Sequence, residues 1–259
     1  MTLEALIFDV DGTLADTEEA HRLAFNEAFQ QLGIDWNWSR PTYAHLLLTT
    51  GGKERLAAHI STLSLSDAER HAALGRIDDI HRAKTANYMR MVQAGEVPLR
   101  DGVARLLNDA AASRVRLSIA TTTTFANIEA LLRTNLGADA LDRFEVIGAG
   151  DVVARKKPAP DIYDYVLRQL NISPDDCVAV EDSSNGLRAA KAAGLYTIVT
   201  PSYWTRTEDF SAADLVLPTL GSAERPLPPP TAAIVGHTML GIREIERQFS
   251  AARECPIRD

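Results

Sequence analysis

The chain has 259 residues and a formal net charge of −8, with 46% hydrophobic and 24% charged residues. That balance describes a folded globular protein and excludes a disordered or fibrous one. An acidic chain repels phosphate backbones and anionic headgroups, so neither nucleic acid nor membrane is expected as a partner. The two cysteines, Cys177 and Cys255, form no metal-type pair, so neither a disulfide framework nor a zinc site is expected and a reducing cytoplasm is the expected setting.

In chain order, the opening MTLEALIFDVDG carries a branched apolar run, Ala5–Val10, that reads as a first strand. Acids interrupt it too early for a signal peptide, and no later stretch approaches the roughly 18 apolar residues of a membrane span. From about Glu19 to Met91 the pattern is helical throughout. Phe25, Ala28, Phe29 and Leu32 share one face ending at Gly33, Leu56, Ile60 and Leu63 share another, and Ser66-Asp-Ala-Glu69 has the form of a capping box. After Asp101-Gly102, Val103, Leu106, Leu107 and Ala110 follow the spacing of an amphipathic helix.

Strand-like runs then recur at Leu117–Thr121, Val146–Ala149, Val178–Val180, Thr197–Thr200 and Leu215–Leu217, alternating with helical patterns. This alternation predicts an α/β fold, a Rossmann-like parallel-sheet core with a helical cap inserted after the first strand. The expected boundaries are 1–15 and 97–220 for the core, 16–96 for the cap and 221–259 for a C-terminal extension. In that extension Glu224–Pro230 reads as a polyproline-type spacer, and Ile242, Ile245 and Phe249 as one face of a short helix that packs on its own core or docks on a partner.

Four polar segments follow four of these strands. Asp9 and Asp11 in Phe8-Asp-Val-Asp-Gly-Thr-Leu14 stand where the first strand ends, the position at which open parallel sheets bind ligands. One carboxylate there can attack phosphorus while the other donates and then accepts a proton. Thr121–Thr124 offers hydroxyls and amides opening onto a helix, a seat for phosphate. Lys156-Lys157-Pro158 brings a cation, and Lys157 is preferred because it directly precedes proline. Glu181-Asp182 adds acids at another strand end, oxygen donors of the kind Mg²⁺ prefers. Taken singly, each segment also fits a turn, a helix cap or a solvated surface. Their joint order does not.

The four-segment order resembles the haloacid-dehalogenase superfamily through about Leu217. The resemblance implies Asp9 as nucleophile, Asp11 as acid and base, Thr121 as the phosphate-binding threonine, Lys157 as the lysine that neutralises the nucleophile and the phosphoryl charge, and Mg²⁺ held by Asp9, Asp11 through its carbonyl, and Asp182, with Glu181 in support. A carboxyl at Asp11 argues for phosphate chemistry over halide displacement, which needs no proton donor there.

Within the insert, Asp16–His21, Trp36–Tyr43, Gly51-Gly52-Lys53-Glu54-Arg55 and His81-Arg82-Ala83-Lys84 look like the CbbY group, similar to β-phosphoglucomutase but hydrolysing xylulose 1,5-bisphosphate, an inhibitor of Rubisco. The similarity implies that a sugar bisphosphate is the substrate. Glu18, His21 and Tyr43 would bind its hydroxyls, with Gly51, Gly52, Lys53, Glu54, Arg55, His81 and Lys84 around the second phosphate, and Thr122 and Asn127 near the first. Each of these has a plain structural role as its alternative. A phosphosugar mutase of β-phosphoglucomutase type, a phosphatase for another small ester such as phosphoglycolate, and an idle sugar-phosphate sensor are the competing functions. A monomer is expected.

Overall fold

The computed structural model describes residues 3–49, 51–150 and 152–254, so Cys255 and the chain end lie outside the described residues. In chain order the elements are β1 (Ala5–Phe8), α1 (Thr17–Gln31), α2 (Arg40–Leu46), α3 (Gly52–Thr62), α4 (Asp67–Gly75), α5 (Ile77–Gln93), α6 (Val103–Ser113), β2 (Arg116–Ala120), α7 (Phe125–Leu136), β3 (Val146–Gly148), α8 (Asp161–Leu170), β4 (Cys177–Glu181), α9 (Ser184–Ala192), β5 (Tyr196–Val199), β6 (Leu215–Val216), α10 (Pro229–Val235) and α11 (Ile242–Glu254). They form two compact units, residues 1–16 with 98–259, and residues 17–97.

The larger unit is built on a six-stranded sheet in the order β3-β2-β1-β4-β5-β6, with every neighbouring pair parallel. All four residues of β1 and all five of β4 are buried, as apolar runs covered by helices on both faces must be. On one face Ala5 and Ile7 of β1 pack with Ile162, Tyr163, Val166 and Leu170 of α8 and with Ala189 and Ala190 of α9. The chain moves outward from β1 through β2 to β3, then returns to β4 on the other side of β1. The order therefore reverses between β1 and β4, the place where a crevice opens beyond the strand ends.

The backbone beyond β1 turns sharply. Gly12 adopts φ 84°, and the amides of Thr13 and Leu14 return to the carbonyl of Val10. Only a glycine adopts that conformation without strain. Both linkers to the helical unit are fastened side by side, because Ala15 bridges Leu99 in antiparallel fashion and the amide of Arg100 donates to the carbonyl of Leu14 at 2.8 Å.

The C-terminal segment belongs to the larger unit. Leu227, Val235, Leu240, Ile242, Ile245 and Phe249 are buried, and Phe249 meets Tyr196 of β5 edge-on at 5.4 Å. Arg105 of α6 donates to the carbonyls of Leu220, Gly221 and Leu240, which ties down the start of the segment and the stretch just before α11. The polyproline spacer expected over Glu224–Pro230 is cut short: Pro228 stands at the N-cap of α10, with Pro229 and Pro230 in its first turn. Proline suits that turn because its missing N–H has no intrahelical partner there.

The helical unit buries an aromatic cluster. Phe25 and Phe29 of α1 stack at 6.1 Å, Trp38 approaches them at 4.6 and 5.0 Å, and Tyr43 of α2 lies 5.9 Å from Trp38. Asn26 fixes the Trp38 backbone from both sides, accepting its N–H at 2.7 Å and donating to its carbonyl at 3.0 Å. The capping box at Ser66 and Glu69 forms with both of its halves.

Candidate active site

Strand register sets the geometry. Phe8 is level with Val180 and with Ile119, so the residues that follow, Asp9, Glu181 and Ala120, come out side by side at the carboxyl edge of the sheet. Asp9, Glu181 and Asp182 are 7%, 0% and 4% exposed, and each can present a carboxylate oxygen within 4.8 Å of the others.

The ammonium of Lys157 donates to Asp9 Oδ1 at 2.7 Å, to Glu181 Oε1 at 2.5 Å and to the carbonyl of Ala120 at 2.8 Å. Lys156 points to the exposed surface. Glu181 Oε1 also accepts the Tyr163 hydroxyl at 2.5 Å, while its Oε2 is buried without a hydrogen-bond partner among the described residues. That carboxylate lies where a side chain at position 186 would be: a Cβ on Gly186 would fall 1.9 Å from Oε2.

Asp182 packs on the β1 turn, since a Cβ on Gly12 would stand 2.1 Å from its Oδ2. The same oxygen accepts the Thr205 hydroxyl at 3.2 Å. Thr121 is buried at the end of β2, its amide bonded to the carbonyl of Gly148 and its hydroxyl accepting from the amide of Thr123. Thr124 caps α7, and Asn127 donates to the Thr123 hydroxyl at 3.2 Å, so Asn127 joins this loop while Thr122 stays half-buried beside it. Asp11 is half-buried after β1, and its side chain is outside the three-carboxylate cluster.

Crowded carboxylates in a buried place resist ionisation. Burial, and then the charge of Asp9, push Glu181 up to about 7 against the pull of Lys157, and burial with Asp9 and Glu181 holds Asp182 well above the usual carboxylate range. Burial works against the Lys157 ammonium, but Asp9 and Glu181 outweigh it and raise its pKa. Three acids gather around one lysine, more carboxylates than that cation can keep ionised, and the donors are all oxygen. That set fits a hard divalent cation, which would be held by Asp9, Asp182 and Glu181.

The helical unit gathers a second set of polar groups. Tyr43 donates to Glu18 Oε2 at 2.7 Å and accepts from Arg55 Nη1 at 2.7 Å, with Arg55 3.8 Å from Glu18. His21 Nδ1 pairs with Lys84 Nζ at 3.0 Å, and its ring lies 4.0 Å from Tyr88. Burial, then the cations of Lys84, Arg55 and His81, hold His21 well below the usual histidine range. The imidazole is therefore neutral, and its Nδ1 accepts from the Lys84 ammonium.

The remaining expected groups divide. The His81 ring covers Gly52, where a Cβ would meet it at 2.9 Å. Lys53 turns instead to Asp78 at 2.6 Å on an exposed face, and the Glu54 carboxylate folds back against Gly51, 2.1 Å from where a Cβ would lie. An anion seat at Gly51 is thus covered by the chain's own acid. The residues not foreseen are Tyr163, Gly186, Arg100 and Thr205. Tyr163 follows the Lys157-Pro segment by six residues and carries a signal of position, whereas the others are revealed by contact alone.

Comparison with known proteins identifies the family. Residues 3–194 match the haloacid dehalogenase-like hydrolase family. The chain is 52% identical over 223 residues to the CbbY protein of Rhodobacter capsulatus, covering 86% of this chain and 96% of that one. The crystal structure of CbbY from Rhodobacter sphaeroides with phosphate superposes with a TM-score of 0.73 at 50% identity, over 84% of this chain and 95% of that one. An aspartate-to-asparagine mutant of the same CbbY, in complex with xylulose 1,5-bisphosphate, gives 0.74 at 48% identity, over 86% and 98%. With buried acids, a lysine and a threonine loop meeting at the ends of adjacent parallel strands, the chain belongs to the haloacid dehalogenase-like hydrolase family and is a phosphatase.

Proposed function

We propose that the enzyme hydrolyses a sugar bisphosphate, xylulose 1,5-bisphosphate, to xylulose 5-phosphate and inorganic phosphate in the cytoplasm, relieving inhibition of Rubisco. The observation that carries this reading is the Lys157 ammonium bound to both Asp9 and Glu181 at the strand ends, in a chain half identical to a CbbY that binds that bisphosphate. In the proposed reaction a carboxylate oxygen of Asp9 attacks the phosphorus, the P–O bond to the sugar breaks, and Asp11 gives its proton to the departing sugar oxygen. Asp11 then takes a proton from water as the water oxygen attacks the aspartyl phosphate, which releases phosphate and restores Asp9.

Lys157 neutralises charge on the transferring group, and the Thr121 hydroxyl with the amides beyond it receives its oxygens. Asp9, Asp182 and the Asp11 carbonyl, with Glu181 in support, would hold Mg²⁺, which would supply positive charge at the phosphate oxygens. In the helical unit Glu18, His21 and Tyr43 bind sugar hydroxyls. Arg55, Lys84, His81 and the Gly51–Glu54 segment receive the second phosphate, for which Glu54 swings away from Gly51. The catalytic core (1–15, 97–220), cap (16–96) and C-terminal extension (221–259), acting as a monomer, are part of the same proposal.

The test is phosphate release with Mg²⁺ and equal concentrations of xylulose 1,5-bisphosphate, ribulose 1,5-bisphosphate, 2-phosphoglycolate and β-glucose 1-phosphate. Preference for the xylulose ester, abolished by Asp9→Asn, is expected. Equal rates on all four refute the substrate, and an isomeric glucose phosphate formed without free phosphate refutes hydrolysis in favour of a mutase.

A further inference from the structure

Arg100 lies two residues beyond the start of the second segment of the larger unit, on the linker rather than on the sheet. Its guanidinium is half-buried and engages backbone from two separate loops. Nη1 donates to the carbonyl of Gly12, to the carbonyl of Thr200 at 2.6 Å and to the Thr200 hydroxyl at 3.1 Å; Nη2 donates to the carbonyl of Pro201 at 2.8 Å. Gly12 belongs to the turn after Asp9 and Asp11, and Thr200 and Pro201 open the loop after β5.

That second loop reaches Asp182. The amide of Ser202 donates to the Thr205 hydroxyl at 2.9 Å, and the two hydroxyls are 3.1 Å apart. Thr205 in turn donates to Asp182 Oδ2 at 3.2 Å. Asp182 closes the circuit by packing its carboxylate directly on Gly12. Arg100, the β5 loop, Thr205, Asp182 and Gly12 therefore form one ring, in which a single cation sets the separation of the two loops that the carboxylate must span. A planar guanidinium can hold carbonyls on both sides at once because its donors are fixed in a fork, which an ammonium cannot reproduce.

We propose that Arg100 is a positioning residue for phosphoryl transfer: by fixing the Gly12 turn against the loop after β5, it places Asp182 for the divalent cation. The inference rests on the reading of Asp9, Asp182 and Glu181 as the cation site. Arg100 touches neither substrate nor reacting atoms in this scheme, and it acts through Asp182 and the turn.

The experiment compares wild type with Arg100→Ala, Arg100→Lys and Thr205→Val. Mg²⁺ binding is measured by calorimetry without substrate, and kcat and KM are measured on the phosphate ester that wild type hydrolyses best. The expected result for Arg100→Ala is Mg²⁺ affinity weakened at least tenfold and kcat lowered about a hundredfold, the range seen when one preorganised contact is lost, with KM within about threefold. Thr205→Val gives the same signature at smaller size. Arg100→Lys recovers only a minor part, and added guanidinium, but not ammonium, partly restores Arg100→Ala.

Folded variants that bind Mg²⁺ and turn over within twofold of wild type overturn the inference. Should Arg100→Ala fail to fold, Arg100→Lys and Thr205→Val decide it on the same criterion. Wild type that binds no divalent cation overturns the cation-site reading and this inference with it, while normal wild type beside silent variants overturns the inference alone.

Discussion

Replacing Lys157 by Met keeps the length of the stem and removes the ammonium that Asp9 and Glu181 share. The Lys157 side chain is 8% exposed and its nitrogen makes ion pairs of 2.7 and 2.5 Å, so its loss leaves buried acids without their partner. Breaking a buried pair from one side costs about 3–5 kcal/mol. The cost depends on pH because Glu181, at about 7 in the folded chain against an ordinary 4.5, can take up a proton instead. A raised carboxyl pKa gives stability that is complete below about 4.5 and is lost as pH rises through about 7. Below that window Glu181 is neutral with or without Lys157, and above it the lysine, helped by the Tyr163 hydroxyl, sustains the charge. The expected loss in Lys157→Met is therefore largest at pH 8 and distinctly smaller at pH 5. At about 2–4 °C per kcal/mol for a chain of this length, the pH 8 melting midpoint falls by about 6–20 °C. Thermal unfolding followed by circular dichroism in EDTA measures both values. An equal fall at the two pH values, or none at pH 8, refutes the argument that the lysine holds Glu181 ionised.

Gly12→Ala forces a side chain into φ 84° and within 2.1 Å of Asp182 Oδ2, so stability falls by about 1–3 kcal/mol and the Mg²⁺ needed for half-maximal phosphate release rises. Tyr163→Phe removes the 2.5 Å hydrogen bond to Glu181 and should cost about 1.5–3 kcal/mol in denaturant unfolding, an unchanged midpoint counting against that bond. Phe249→Ala empties a buried site against Tyr196 and costs about 3–5 kcal/mol, with turnover per folded molecule unchanged; a cost under 1 kcal/mol would show that the C-terminal helix contributes little to the larger unit.

Much of this arrangement is legible in the sequence because it is local. A strand buried on both faces must be a short, largely apolar run, and Ala5–Phe8 and the Cys177–Val180 part of Cys177–Glu181 are such runs, within two residues of the expected bounds. The acids that follow them are adjacent in space because β1 and β4 are adjacent in the sheet, an order that strand-helix alternation allows but does not dictate. Lys157 is separated from Asp9 by 148 positions, and its meeting with Asp9 was accessible through the family resemblance and not through spacing. Arg100 and Thr205 escaped because a guanidinium that binds main-chain carbonyls leaves no pattern in side-chain chemistry. Lys53 was expected beside an anion, but nothing in its segment reveals that Asp78, 25 positions away, lies within reach. The prolines at 228–230 cannot continue a helix, which suggests a spacer, but they are well suited to begin one, and that suitability prevails.

The pairing of the two linkers has a consequence for how such a chain can change. Ala15 faces Leu99 across the bridge that the Arg100–Leu14 hydrogen bond closes, so the 81-residue segment Thr17–Val97 departs and returns at nearly one point of the larger unit. To the sheet it is a single long excursion closed by a two-stranded clasp. Loop closure grows only logarithmically more costly with length, and the clasp itself pins the ends. Segments of different size and composition can therefore be exchanged there without altering the strand order or the placement of Asp9.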